Sequence, residues 1–376
     1  MLALEIIFWT SLGLIAWTHF GYPLATGLLA CLRPRPVAKA RVEPSVVLIV
    51  AAHNEDTVIA RRIENLLALD YPAEKLEIVV ASDGSSDRTN EIVREFAARE
   101  PRVHLLDCER GGKTLAQNRA VRETESELLA FTDANTEWAP DALRELVANF
   151  ADSDVAYVSG KLQLTASDGT NREGLYWRYE LWLRSNESRL GSITAGNGAI
   201  YAVRRSDYIE DDAVTGHDFA LPFRMVQRGR RAVFEPDAVA LEKESRDLED
   251  EFGRKVRMIT RALRNVYTGS MLHRVPPIYA LELFSHRLLR YETGAIHIVM
   301  LGAGAALVGQ GLIYQIALGL QLAWLLMAAF GRLRIRVPGA GIAYYYLLVT
   351  AATLVGNYRF FRSGTPTMWE KAEGTR

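Results

Sequence analysis

Three long stretches of the chain carry hydrophobic residues with almost no polar interruption, and between the first and second the pattern changes to short alternating blocks. From Ile6 to Leu32 no residue is charged and His19 is the one strongly polar side chain. A helix of that length crosses a hydrocarbon core of about 30 Å. The start carries Glu5 but no Lys or Arg, unlike a cleaved secretion signal, so an uncleaved anchor is expected over residues 1–32. Thr293 to Gly331 contains no Asp, Glu, Lys or Arg. At 1.5 Å per residue it would measure roughly 58 Å as a helix, two crossings' worth. Gly309-Gln310-Gly311 offers a turn, which predicts a helical hairpin. Pro338 to Asn357 adds one more uncharged run. The expectation is therefore one span before the middle region and three after it, over 293–358, followed by a tail at 359–376. The plain alternative is that one C-terminal stretch is re-entrant or interfacial. Arg33, Arg35, Lys39 and Arg41 follow the first span, and the positive-inside rule then puts the middle of the chain in the cytosol. Arg359, Arg362 and Lys371 in the tail oppose the outside C-terminus that four spans would give.

In the middle region the period is that of strands and helices in alternation. Ser45–Ala51 is a continuous β-branched apolar run, the pattern of a strand buried on both faces. Asp56–Leu69 follows with helical spacing and closes at Asp70-Tyr71-Pro72. The alternation repeats through strands at Leu76–Ala81, Val103–Leu106 and Leu128–Thr132, and through helices near Arg88–Arg99, Thr114–Arg122 and Ala139–Phe150. Four βα units in succession predict an α/β fold with a doubly wound, mostly parallel sheet. In such sheets, chemistry gathers at the carboxyl ends of the strands. Each strand here ends in a polar cluster: His53-Asn54-Glu55, Asp83-Gly84-Ser85-Ser86-Asp87, Gly111-Gly112-Lys113 and Asp133-Ala134-Asn135. Turns attract such residues for conformational reasons, but four in a row on one rim predict a site.

Composition adds exclusions. The chain has 376 residues, 49% of them hydrophobic and 24% charged, values that exclude disorder and a disulfide-stapled mini-domain. A net charge of −1 gives no reason to expect nucleic acid. Cys31 and Cys108 have no neighbours at metal-ligand spacing and read as packing residues. Neither GxGxxG nor GxxxxGK[ST] occurs, so a dinucleotide fold or P-loop is not indicated.

The runs VVLIVAAHNE, VVASDGSSDRT, GGKTLAQNRAV and FTDANTEW, in this order, resemble the nucleotide-sugar half of a family 2 glycosyltransferase. ITAGNGAIYAVRR and GHDFALPFRMVQRGRRAVFEPDAVALE continue the resemblance, which ends at FGRKVRM, where polymerising members carry QxxRW. It implies a GT-A fold over residues 44–263, flanked by transmembrane helices as in the membrane-bound, polysaccharide-synthase-like branch. Residues 264–292, with Phe284, His286 and Arg287, then read as interfacial helices.

The resemblance also assigns roles. Asn54, Glu55 and Asp83 would line the nucleotide pocket, Asp83 bonding the base. The competing reading for Asp83 is an Asx turn, which Asp87 suits better, and Glu55 could equally serve the next helix's dipole. Asp133 and Asn135 stand at the family's DxD pair, binding the donor and a divalent ion, Mg2+ or Mn2+; Asn135 is a neutral ligand where an acid is usual. Lys113 would face the phosphates, or be an ordinary solvated lysine. Asp218 has the spacing of the base that deprotonates the acceptor, preceded by His217 where an acid is usual. Asp211 and Asp212 are competing bases that read more readily as solvated turn residues. Arg254 and Arg257 match the polar part of QxxRW and would stabilise departing charge. Together these imply an inverting hexosyltransferase-type enzyme in a multi-pass inner-membrane protein of the cell envelope. It would take a nucleotide-sugar donor, UDP-linked, and a lipid-carrier or polysaccharide acceptor. The alternative is a noncatalytic nucleotide-binding subunit of an export complex, for which His217 and Asn135 leave room.

Overall fold

A computed structural model describes residues 1–165, 174–212, 214, 216–243 and 248–365. The end of the tail, Lys371 included, lies outside the described residues, as does 244–247 within the expected catalytic region. The chain divides into two compact units. One comprises 26–247 and 268–280; the other comprises 1–25, 248–267 and 281–365.

The first unit is built on an eight-stranded sheet. Its strands are β1 (Val46–Ala52), β2 (Leu76–Asp83), β3 (Val103–Cys108), β4 (Leu128–Asp133), β5 (Glu137–Trp138), β6 (Val155–Thr165), β7 (Tyr201–Arg204) and β8 (Arg231–Lys243). Their order is β3-β2-β1-β4-β7-β6-β8-β5. The β-branched run of β1 is buried throughout because parallel neighbours flank it on both edges, β2 and β4, and helices cover both faces. The four expected βα units are present, with helices at Ile59–Leu67, Thr89–Ala97, Lys113–Arg122 and Ala142–Ala148. The chain runs outward from β1 to β3 in one direction and then returns to place β4 on the other side of β1. That switch opens a crevice at the carboxyl ends of β1 and β4.

The second half of the sheet is mixed, a feature the βα rhythm did not reveal. β7 runs antiparallel between β4 and β6, while β6 and β8 pair in parallel. The β6–β8 register jumps from Gly160↔Glu235 to Lys161↔Val239, so β8 bulges and continues beside β5. Cys108 is buried in the core beside Phe131 and Val79, as a packing residue should be, whereas Cys31 is exposed.

The helical unit holds most of the apolar stretches. Among the described residues three helices are long and apolar enough to cross a membrane: Leu2–Leu32, Leu312–Arg332 and Ala340–Ser363. The turn at Gly309–Gly311 is where the hairpin was expected, between helices Leu289–Ala306 and Leu312–Arg332. Leu289–Ala306 is not among the three, and here the structure departs from four uniform spans. It starts before the uncharged run and so takes Arg290 and Glu292 into its first turn. Phe8 packs with Met300, Ala303, Leu307 and Tyr314. Helix Leu248–Tyr267 also belongs to this unit rather than closing the sheet domain at residue 263. Its apolar face, Val256, Ile259 and Leu263, packs on Ala352.

Candidate active site

The rim of the sheet gathers most of the expected residues. Lys113 starts the helix after β3 and forms an ion pair with Asp133 at the end of β4. Asp218 lies in the first turn of helix His217–Gln227, where the dipole favours an anion. Gly198, in the loop before β7, joins the three. A Cβ placed there would lie 3.3 Å from Lys113 Nζ and 3.6 Å from both Asp133 Oδ2 and Asp218 Oδ2. Two acids and an amine from three separate segments thus converge on a space kept open by a missing side chain. No side chain among the described residues bonds the Asp218 carboxylate, while its backbone carbonyl accepts from Gly196 N–H (2.8 Å) and fixes the loop. Sequence reading passed over Gly198; its signal was the close run of glycines in Ala195-Gly196-Asn197-Gly198.

His217 is not part of this chemistry. It is buried, with Nδ1 3.1 Å from Gln117 Oε1 and Nε2 3.1 Å from the Tyr208 hydroxyl. Burial, reinforced by the positive charges of Lys113 and Arg224, lowers its pKa to about 3, so it is neutral. Asp211 is not the solvated turn residue expected: it is buried and ion-paired with Arg224. Asp212 is exposed and accepts from Val214 N–H. Neither competes with Asp218 in position.

At the ends of β1 and β2, Asp87 takes the turn role: its carboxylate accepts from the N–H groups of Thr89 (2.9 Å) and Asp56 (3.1 Å). Asp83 is buried and holds the loop after β3. Oδ1 accepts from Gly111 and Gly112 N–H, at 2.7 and 2.9 Å, and Oδ2 from Arg110 Nη1 at 2.7 Å. Gly84 beside it has φ +62°, and a Cβ there would come within 2.9 Å of Arg110 Cβ, so only glycine lets the two loops approach. Asn54 adopts a left-handed φ of 54°, which Asn tolerates, and its Oδ1 accepts from Ser86 N–H. Glu55 is buried, and its backbone carbonyl accepts the first N–H groups of the following helix.

Asn135 sits in the turn after β4, and its Nδ2 donates to Glu242 Oε1 on β8 at 3.2 Å. Arg62 is buried, donates to the hydroxyl of Thr132, the residue before Asp133, and lies over the Trp138 ring. Burial lowers its pKa to about 9, opposed by the charges of Asp133 and Glu137, so it stays cationic at neutral pH. Neither Arg62 nor Glu242 was singled out by sequence, because nothing local marks a residue that acts across the sheet. Glu145, Glu235 and Asp237 form another acidic group, but Glu235 is already paired with Lys39 and bonded by Asn149. Arg254 and Arg257 belong to the helical unit, where Arg254 pairs with Glu251 at 2.8 Å.

The description "Glycosyl transferase family 2" matches residues 47–212, the stretch from β1 through the loop before helix His217–Gln227. The chain carries a family 2 glycosyltransferase domain. It is 29% identical over 216 residues to a beta-monoglucosyldiacylglycerol synthase of Trichormus variabilis, covering 54% of this chain and 45% of that protein. It is also 29% identical over 252 residues to an N-acetylglucosaminyltransferase of Rhizobium sp. strain N33, covering 61% and 54%. The chain thus spans about half the length of these curated relatives. A solved structure of the mannosyltransferase PcManGT from Pyrobaculum calidifontis, in complex with GDP-Man and Mn2+, matches 96% of this chain and 99% of its own. The TM-score is 0.73 at 24% identity, which establishes a shared fold for the family 2 domain: GT-A, with apolar helices flanking the sheet.

Proposed function

We propose that this protein is a membrane-anchored inverting glycosyltransferase. It moves a sugar from a nucleotide-activated donor to a lipid-carrier or polysaccharide acceptor on the cytosolic face of the inner membrane. The observation that carries the reading is the convergence of Asp218, Asp133 and Lys113 on the space beside Gly198. Of the relatives named above, one is a synthase of a glycolipid and one a transferase of N-acetylglucosamine, which supports the sugar-transfer reading.

In this reading Asp218 accepts the proton of the acceptor hydroxyl as that oxygen attacks the anomeric carbon from the face opposite the leaving group. Its partly open carboxylate suits the task. Lys113 is a point charge for the departing nucleoside diphosphate, held in place by Asp133. Asn54, Glu55 and Asp83 shape the nucleotide end of the crevice, Asp83 by fixing the Arg110–Gly112 loop. The oxygens of Asp133 and Asn135 are hard donors of the kind Mg2+ and Mn2+ prefer, and the Gly198 gap leaves room beside Asp133. A divalent ion bound there supplies Lewis-acid neutralisation of the pyrophosphate. Arg254 and Arg257 are proposed, from the resemblance, to stabilise departing charge.

The test is nucleotide release by the purified full-length protein against a panel of UDP- and GDP-sugars. Asp218→Asn should lower turnover about a hundredfold or more, the usual contribution of a general base, with nucleotide affinity close to wild type. Release by no donor, or an Asp218→Asn variant that keeps a tenth of wild-type turnover, would overturn the reading.

A further inference from the structure

The neutral ligand at the second position of the DxD-like pair has a charged neighbour that the sequence does not place near it. Glu242 lies more than 100 residues downstream, yet its Oε1 accepts a hydrogen bond from Asn135 Nδ2 at 3.2 Å. The bulge in β8 brings it there. After the register jump at Gly160, the strand pairs Leu241 with Glu137 and Ala240 with Trp138, so the next residue, Glu242, comes up against the turn that carries Asn135. Its backbone is held as well, since Thr165 Oγ1 donates to the Glu242 carbonyl at 3.3 Å.

We propose that Glu242 is a positioning residue for the metal site, and that the Asn135–Glu242 pair does together what one acid does at this position elsewhere. The inference rests on Asp133 and Asn135 being the metal ligands. An amide can ligate a hard cation only through its oxygen, because the nitrogen lone pair is delocalised. By accepting the N–H, Glu242 decides which end of the amide is presented. A carboxylate on the N–H side also shifts electron density toward Oδ1, making that oxygen a better donor. The negative charge that Asn135 lacks is thereby restored within hydrogen-bonding distance. Partners of this kind behind a metal ligand are worth about tenfold to a hundredfold in metal affinity.

The experiment measures Mn2+ binding to the full-length protein by the EPR signal of the free ion, alone and with UDP or GDP present. Glu242→Gln keeps the shape and removes the charge; it should weaken Mn2+ binding about tenfold. The double variant Asn135→Asp with Glu242→Gln moves the charge to the ligand and should restore binding to near wild type. A purely structural role for Glu242 would not be rescued in this way. If Asp133→Ala loses Mn2+ while Glu242→Gln binds like wild type, or if the double variant stays as weak as Glu242→Gln, the role of Glu242 is overturned and the metal reading stands. If Asp133→Ala binds Mn2+ as well as wild type does, the metal reading itself fails, and this inference with it.

Discussion

His217 and Asp218 are adjacent at the start of one helix, and the helical turn between them sends the imidazole into the core and leaves the carboxylate partly open. His217 packs against Phe131 and Tyr208, with ring centroids at 6.0 and 5.4 Å. The Tyr208 hydroxyl donates to Asn118 Oδ1 at 2.7 Å and lies 3.1 Å from His217 Nε2, which keeps the ring in place. The position that raised a question in the sequence is thus settled by packing, and it carries a pH signature. The folded pKa of about 3 is below the ordinary 6.5, so between these values the unfolded chain holds a proton that the folded one does not. The His217 contribution is fully present above about pH 6.5 and falls away as pH drops toward about 3, at up to about 1.4 kcal/mol per pH unit. Thermal unfolding at a series of pH values should show a shallower acid decline for His217→Gln than for wild type. Parallel curves would show that the imidazole is not buried and neutral.

Among elements, the loops at the strand ends act by reaching across to one another. Asp83 on β2 fixes the loop after β3, and Asp87 fixes the start of the helix after β1, so residues that look like turn formers in sequence tie neighbouring βα units together. The loop before β7 contributes no side chain at Gly198, which keeps the space beside Lys113, Asp133 and Asp218 open. Gly198 does not have the positive φ that would make any side chain strained, and the nearest groups to an added Cβ are polar side-chain ends at 3.3–3.6 Å. Gly198→Ala should therefore fold with a Tm close to wild type yet lose about tenfold or more in turnover, since even small misplacement of reacting groups is costly. Circular dichroism beside the nucleotide-release assay separates the two effects; unchanged turnover would mean the space is not used.

For the whole molecule, the decisive property is the set of long apolar helices, whose large hydrophobic side chains are left exposed. The helical unit exposes Ile6, Trp9, Leu24, Leu312, Leu320 and Leu326, side chains that water would not favour and lipid would. Membranes washed with alkaline carbonate should retain the protein in the pellet, whereas a peripheral protein is released. Recovery in the supernatant would count against spanning helices. Within this unit Gly356 lets helix Ala340–Ser363 lie close to helix Leu248–Tyr267, where an added Cβ would meet Ile259 Cγ2 at 2.8 Å. That contact groups helix 248–267, which the sequence assigned to the catalytic region as far as residue 263, with the apolar helices.

The sequence by itself determined the strand–helix alternation, the rim on which chemistry gathers and the apolar helices at both ends. Each of these follows from local periodicity, which a burial requirement imposes directly on neighbouring residues. The candidate base and the DxD-like pair were marked in the sequence by their resemblance to the family's motifs, not by periodicity. Only the tertiary structure decided the rest. β7 is antiparallel and β8 bulged because pairing partners lie far apart in the chain, and no local pattern records them. For the same reason Glu242 meets Asn135, Arg62 bonds Thr132, and Lys113, Asp133 and Asp218 meet around Gly198. Such contacts are fixed by how segments distant in sequence share a core, not by the residues on either side of them.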